Sequence, residues 1–408
     1  MKFLHLADLH FGKSIHGVSL VENGDQPAWA ERFLKLAEEL RPDAVVMAGD
    51  IYDRNAPSGD AVSLLDHVIT GLAGLGIPVL MTAGNHDSGQ RLSFGGRLLA
   101  KQNIHICGVL SRELPHVTLS DEHGPVTFWL MPYIFPALAA QMLEDDSIHD
   151  YDTAVRKLLA AQEIDFTQRN VLAAHQNVTV NGQEVGRGGS ESMVGGVGQV
   201  DYTAFDGFDY VALGHIHAAY PVGRDSVRYA GSPLCYHFTE TRQARKGPLL
   251  VELGAKGQPP VITTQIIPAL HPMREIRGAF AEIRAAELAG ERRGEYLRIV
   301  LTDRRPEPED YRFFRELYES RGSVLMELVS EYRQFRDIDA PPAGAAGEKS
   351  VEELFLDFYA ERCGSAPGIQ EQALLQFAGE QLRMPEGALL ERQARAMLEY
   401  ALKQEGAV

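Results

Sequence analysis

Five apolar runs of strand length share one ending. "KFLHLA" (residues 2–7) leads into Asp8-Leu9-His10 and "AVVMAG" (44–49) into Asp50. "IPVLMTAG" (77–84) leads into Asn85-His86-Asp87, "NVLAA" (170–174) into His175, and "YVALG" (210–214) into His215-Ile216-His217. Apolar runs of this length, bounded by glycine and polar residues, read as buried strands. Between the first three lie stretches of helical periodicity, Trp29–Leu40 and Ala61–Leu75. Strand, helix, strand in alternation is the rhythm of βαβ units, so the expected class is α/β. In an open α/β sheet, sites form outside the carboxyl ends of the strands. Five strand ends should therefore bring carboxylates, an amide and imidazoles to one crevice. "VTFWLMPY" (126–133) and "SVRYAG" (226–231) are further strand candidates.

The donor set narrows the chemistry. It contains oxygen and imidazole nitrogen but no thiolate, which suits borderline-to-hard divalent ions such as manganese, iron or zinc. In "DLH" and "HIH" the two donors are i and i+2, and on an extended segment such side chains share a face. Two ions held about 3.5–4 Å apart need a bridge, which a carboxylate can supply and an imidazole cannot. Asp50, in the middle of the group, is the natural bridge. Taken singly, each of these elements reads more readily as a turn or a capped strand end. Five in this order, each after an apolar run, do not.

With 408 residues, 45% hydrophobic and 23% charged, the chain suits two or three soluble domains. Its three cysteines, Cys107, Cys235 and Cys363, stand too far apart for a thiolate zinc site, and they argue for a reducing compartment. The start reads as no signal peptide and no apolar run reaches membrane-spanning length, so the cytoplasm is expected, with no membrane association. A net charge of −17 points away from an unaided grip on nucleic acid. Any polyanion would have to be held by metal ions, local cations or a partner.

"DLH", "GDIYD", "GNHD", the isolated His175 and "GHIH" together resemble the motif series of the calcineurin-like metallophosphoesterases. "FLHLADLHFG", "YAGSPL", "VGGVGQVD" and "VEELFLDFYAERCG" extend the likeness to the Mre-type double-strand-break nucleases over nearly the whole chain. That resemblance implies a four-layer αββα sandwich at 1–268, a small α+β capping domain at 269–338, a linker at 339–350 and a helical partner-binding region at 351–408. It implies two divalent ions, manganese first, with magnesium, iron or zinc as alternatives. One would be held by Asp8, His10, Asp50 and His217, the other by Asp50, Asn85, His175 and His215. His86 would protonate the leaving oxygen, and Asp53 would accept a hydrogen bond from its far nitrogen. Asp87 is expected to brace the loop.

The metal pair alone does not select a substrate: DNA, phosphoproteins and cyclic nucleotides all suit it. The resemblance favours a DNA exonuclease and endonuclease, acting on double-strand 3′ ends and on single strands or hairpins. The alternative is a phosphatase or cyclic-nucleotide phosphodiesterase on the same fold. Arg54, Arg91, Arg187, Arg242 and Lys246 are the candidate DNA contacts, with Arg97, Lys101 and Arg245 beside them. By the same resemblance two copies would pair through 58–75 and 91–101. A coiled-coil ABC-type ATPase would dock on the tail helices, whose apolar faces carry Leu354, Phe355, Phe358 and Tyr359, completing a heterotetramer in the cytoplasm, at the nucleoid. His5 reads as a satisfied core residue. His16 and His237 are the only other histidines with a place near the motifs.

Overall fold

The computed structural model describes residues 1–182, 198–243 and 245–332. Arg187, most of the glycine-rich 182–198 stretch, the linker and the tail helices lie outside them.

The first half alternates as expected: β1 (Lys2–Leu6), α1 (Asp25–Leu40), β2 (Ala44–Ala48), α2 (Gly59–Gly74), β3 (Val79–Thr82) and β4 (Ile104–Cys107). These four strands are parallel neighbours in the order β1-β2-β3-β4. Antiparallel β11 (Leu249–Glu252) and β12 (Val261–Thr264) close the β1 edge to make six strands. A second six-stranded sheet is built from β5 (His116–Asp121), β6 (Gly124–Met131), β7 (Arg169–His175), β8 (Tyr210–Gly214), β9 (Pro221–Val222) and β10 (Arg224–Tyr229). Its order is β9-β10-β8-β7-β6-β5, with β6, β7, β8 and β10 parallel.

Side-chain alternation explains the layering. From β1 and β2, Leu4, Leu6, Val45 and Met47 point outward to Trp29, Phe33, Leu65 and Val68 of α1 and α2. Phe3, Val46 and Ala48 point inward, where they meet Phe128, Val171, Tyr210 and Ala212 of the second sheet. That sheet turns Trp129, Leu172, Val211 and Val227 outward onto Val155 and Leu158 of a helix at Tyr151–Ala160. The central strands of both sheets are thus buried on both faces, which is why they read as continuous apolar runs. His5 sits between the sheets, hydrogen-bonded to the Tyr210 hydroxyl and the Leu213 carbonyl, and burial lowers its pKa to about 3. It is a satisfied core residue, as expected.

Four of the strands that escape the sequence reading show why. β4, β5 and β12 are short or present polar residues to solvent on one face. The fourth, β13 (Met273–Gly278), carries two arginines and a glutamate. β13 opens an α/β unit with helices Phe280–Ala289 and Pro308–Glu319 and strands β14 (Tyr296–Leu301) and β15 (Val324–Ser330). Its sheet is wholly parallel, in the order β13-β14-β15. One face packs Leu297, Ile299 and Leu301 on Phe314 and Tyr318. The other turns Tyr296, Met273 and Val324 to the core under α1. There Tyr296 and His271 both hydrogen-bond Asp25.

Candidate metal centre

The polar residues that end the strands do converge, but not by the route the i, i+2 spacing suggested. Asp8, His10, Asp50 and His215 lie beyond the strands, at φ of 53°, 43°, 49° and 105°. The pairs reach the site because the chain turns through left-handed backbone, not because a pleat puts them on one face. Such conformations cost roughly 1–3 kcal/mol each in a non-glycine residue and collect at functional sites. Main-chain bonds fix the turns. The Asp8 amide donates to the Gly49 carbonyl at 3.1 Å, and the His10 amide to the Asp50 carbonyl at 2.9 Å.

Two glycines make room. A Cβ on Gly84 would lie 2.1 Å from Asp50 Oδ1, and one on Gly49, at φ 82°, would lie 2.3 Å from His175 Nδ1. Asp87 binds three amides, those of Ile51, Tyr52 and Gly84, at 2.9–3.0 Å. It ties the loop after β3 to the loop after β2, in line with its expected bracing part.

One group of donors is Asp8, His10 and His217, all buried, with His10 Nε2 and His217 Nε2 3.2 Å apart. The other is Asp50, Asn85, His175 and His215. Asn85 Oδ1 lies 3.2 Å from His175 Nε2 and 3.1 Å from His215 Nδ1. Asp50 stands between the groups, with Oδ2 3.3 Å from His175 Nε2 and 3.7 Å from His10 Nε2.

The protonation pattern bears on what this crevice can hold. His175 Nδ1 donates to the Ala48 carbonyl at 2.8 Å. Its Nε2, facing the Asp50 and Asn85 oxygens, is then a lone pair among acceptors unless a cation comes between. Asp8 Oδ2 and His215 Nε2 are buried without a hydrogen-bond partner among the described residues. An array of buried acceptors turned on one another fits divalent cations and is costly without them.

The electrostatics agree. Burial, reinforced by Asp50 and opposed by the neighbouring histidines, pushes the Asp8 carboxyl up to about 6. Burial alone would also raise Asp50, but His175, His10 and His86 hold it well below the usual carboxylate range. Burial likewise lowers His10 and takes His215 to about 3, keeping both neutral as metal ligation requires. His175 is driven the other way: burial lowers it, yet Asp50 outweighs burial and brings it to about 9.

His86 is half-buried, its ring edge-on to His10 at 4.9 Å. Its amide donates to Asp50 Oδ1, and its Nδ1 donates to an acceptor on Asp53 at 2.9 Å. That acceptor is the main-chain carbonyl, not the expected carboxylate. The Asp53 carboxylate instead takes Lys13 at 2.7 Å, with His10 Nδ1 at 3.6 Å. A carbonyl only accepts, so the bond fixes a proton on His86 Nδ1.

Among the candidate DNA contacts, Arg54, Arg91 and Arg242 are exposed, as the expectation requires. Lys246 is not available. Its side chain is 9% exposed, and its ammonium is spent on the Glu240 carboxylate, the His217 carbonyl and the Ser232 hydroxyl. His16 is exposed and packs on Phe238, while His237 bonds Thr239. Neither joins the centre.

The sequence reading missed Glu240. It is 1% exposed and accepts from His217 Nδ1 at 3.0 Å, leaving Nε2 of that histidine as the ligating nitrogen. His217 and Lys246 hold the Glu240 carboxyl at about 2, against the upward push of burial. Nothing local marks Glu240, an isolated acid in "HFTETR". Tyr236, whose ring flanks His10 and His217, and Tyr133, beside His175 and His215, were missed in the same way.

The sequence is similar to known families and proteins. The calcineurin-like phosphoesterase family matches residues 1–219. A family described as the type 5 capsule protein repressor C-terminal domain matches residues 269–362. The SbcD chain of the SbcCD nuclease from Staphylococcus saprophyticus is 33% identical over 307 residues, covering 74% of this chain and 78% of the relative. Among solved structures, a dimetal phosphatase from Danio rerio is 12% identical with a TM-score of 0.36, covering 66% of this chain and 98% of its own.

Proposed function

The chain belongs to the calcineurin-like phosphoesterases and, within them, to the SbcD family of SbcCD nucleases, and on that premise we propose that it is a DNA phosphodiesterase working with an SbcC-type ATPase. The observation that carries the reading is the cluster of donor atoms turned on one another around Asp50, with Asp8, His10, Asp50, His175, His215 and His217 buried and Asn85 at the exposed mouth, which suits divalent cations. Asp8, His10, Asp50 and His217 would hold one ion, and Asp50, Asn85, His175 and His215 the other. When bound, the ions supply charge neutralisation at the phosphodiester and an activated water. The oxygen- and imidazole-only donor set suits manganese, iron or zinc; the family resemblance puts manganese first, with magnesium, iron or zinc as alternatives.

The protein's own groups do the rest. The Ala48 carbonyl and Glu240 fix the tautomers of His175 and His217, so that each offers Nε2 inward. Asp87 keeps the Asp50 and Asn85 loops in register. As the phosphorus–oxygen bond to the leaving group breaks, His86, as the doubly protonated imidazolium, would give that oxygen its Nε2 proton and keep the one on Nδ1. The Asp53 carbonyl on its other nitrogen orients the ring. Arg54, Arg91 and Arg242 would meet flanking phosphates. Phe94, 86% exposed, and Leu98, 71% exposed, support pairing of two copies through this face. The tail beyond residue 350 would carry the ATPase, and a DNA substrate implies a cytoplasmic, nucleoid-associated protein.

The test offers linear duplex DNA, hairpin DNA and an aryl phosphodiester with Mn²⁺ or Mg²⁺, to the unaltered protein and to His86→Ala. Cleavage of DNA ends and hairpins is expected, reduced about 10²- to 10⁴-fold in His86→Ala at undiminished metal content. Turnover of the aryl ester without any DNA cleavage would favour the phosphatase or cyclic-nucleotide reading instead.

A further inference from the structure

On the Asn85 side of the metal centre lies a cavity of about 330 Å³. Its walls include the turn from Ala83 to Asn85, Ser88, Tyr133 and three apolar residues, Val109, Phe135 and Leu138. Those three are exposed, by 48%, 51% and 44%. Single apolar residues scattered over a surface need no explanation, but three around one concavity beside a reaction centre do. The Tyr133 ring lies 6.2 Å from the rings of both His175 and His215 and meets Phe135 edge-on at 4.9 Å. One aromatic pair thus runs from the metal ligands to solvent.

The arrangement is held firmly. The Tyr133 amide donates to the Ala83 carbonyl at 2.9 Å, pinning this segment to the loop that carries Asn85. Phe135 is fixed in extended backbone directly before the helix that opens at Pro136. Beside the cavity, the exposed Arg91 donates to the carbonyl of the wall residue Asn55 at 3.0 Å. The site therefore combines an aromatic face, apolar flanks and a nearby cation, within reach of the atoms that would hold the scissile phosphate.

That combination suits a flat heteroaromatic ring attached to a phosphate. The volume is at the small end of ligand pockets and admits one ring system rather than a stacked duplex. Resting on the DNA-nuclease reading, we infer that this cavity receives a single unpaired nucleobase from a nucleotide flanking the scissile phosphate, stacked on Phe135. Swinging a base out of a duplex is costly, and least so at a frayed end, a mismatch or a hairpin tip. The cavity would thereby favour cleavage next to unpaired nucleotides.

The experiment uses the full chain with Mn²⁺ and oligonucleotides in which one phosphodiester is cleavable and the others are blocked. The nucleotide on each side of that linkage carries either its base or an abasic residue. The unaltered protein should prefer the base on one flank by about 5- to 100-fold in kcat/KM, the range of a single base–aromatic stack. Phe135→Ala should abolish that preference by lowering cleavage of the natural oligonucleotide to the abasic level. Phe135→Trp should keep it, and calorimetric Mn²⁺ binding and the thermal unfolding midpoint should be unchanged in both variants. Equal cleavage of natural and abasic substrates by the unaltered protein, or an equal loss on both in Phe135→Ala, would overturn the inference. So would intact DNA kinetics in Phe135→Ala together with loss of ATPase binding, which would make the cavity a protein contact. No DNA cleavage by the unaltered protein would sink the nuclease reading itself, and this inference with it.

Discussion

Glu240→Ala tests how His217 is held. The Glu240 carboxylate accepts from His217 Nδ1 at 3.0 Å and from Lys246 Nζ at 2.8 Å, with Ser232 Oγ and the Tyr236 amide at 3.3 Å. Truncation leaves the ammonium of Lys246, a side chain 9% exposed, facing the neutral His217 carbonyl and Ser232 hydroxyl. Breaking a buried pair from one side costs about 3–5 kcal/mol. Lys246 keeps its bonds to the His217 carbonyl and Ser232 Oγ, so the lower end applies, about 3 kcal/mol. A domain stability of about 5–15 kcal/mol absorbs that loss without unfolding. The imidazole also loses the partner that sets its tautomer, and such partners are worth about 10- to 100-fold in metal affinity. Urea unfolding of the metal-stripped protein and calorimetric titration with Mn²⁺ read the two effects separately. Glu240→Gln still accepts from His217 and should recover most of the metal affinity while keeping much of the stability loss. Adding Lys246→Met to Glu240→Ala should restore stability but not affinity. If Glu240→Ala bound Mn²⁺ like the unaltered protein, the positioning argument would be wrong. A stability change below about 0.5 kcal/mol would refute the buried-pair argument.

Three other substitutions probe separate links in the same chain of reasoning. Asn85→Ala removes the one oxygen that faces both His175 and His215, and should weaken one ion by at least about tenfold while sparing the other, as read by metal titration. Gly49→Ala puts a Cβ on the His175 ring from a left-handed backbone position; metal content at equilibrium should fall and the unfolding midpoint should drop. In Asp121→Asn the buried Arg169 guanidinium loses its bidentate carboxylate partner, which should cost roughly 3 kcal/mol at neutral pH in urea unfolding. Arg169 holds the Asp121 carboxyl well below the usual carboxylate range. The stability it contributes is therefore complete above the ordinary carboxylate pKa of about 4 and is lost as pH falls below it, so the two proteins should converge in acid.

The candidate donors were legible in the sequence because each stands just past one of five apolar runs, and a run reports its burial locally. The same locality made β1, β2, β3, β7 and β8 readable, since burial on both faces leaves them apolar throughout. It hid β5 and β13, whose solvent-facing positions break the apolar pattern. It also misled over Asp8 and His10, because a left-handed turn leaves no mark in the i, i+2 spacing that an extended strand would share.

Lys246 shows the limit most plainly: as a residue in "RQARK" it is one more surface cation, and only the fold buries it against Glu240 and behind His217. His86 tells the same story from the other side. Its place after Asn85 suggested its chemistry, but the tertiary contact decided that a carbonyl, not a carboxylate, holds its second nitrogen. The sequence by itself determined which atoms could bind metal and at which strand ends they stand, because side-chain chemistry and strand burial are properties of short segments. The stacking of the two sheets decided which of those atoms face one another, which nitrogen each histidine offers and what lies behind it. Those pairings join residues from 23 to more than 200 positions apart, as in His217 with Glu240 and His10 with His217, and no local pattern encodes them.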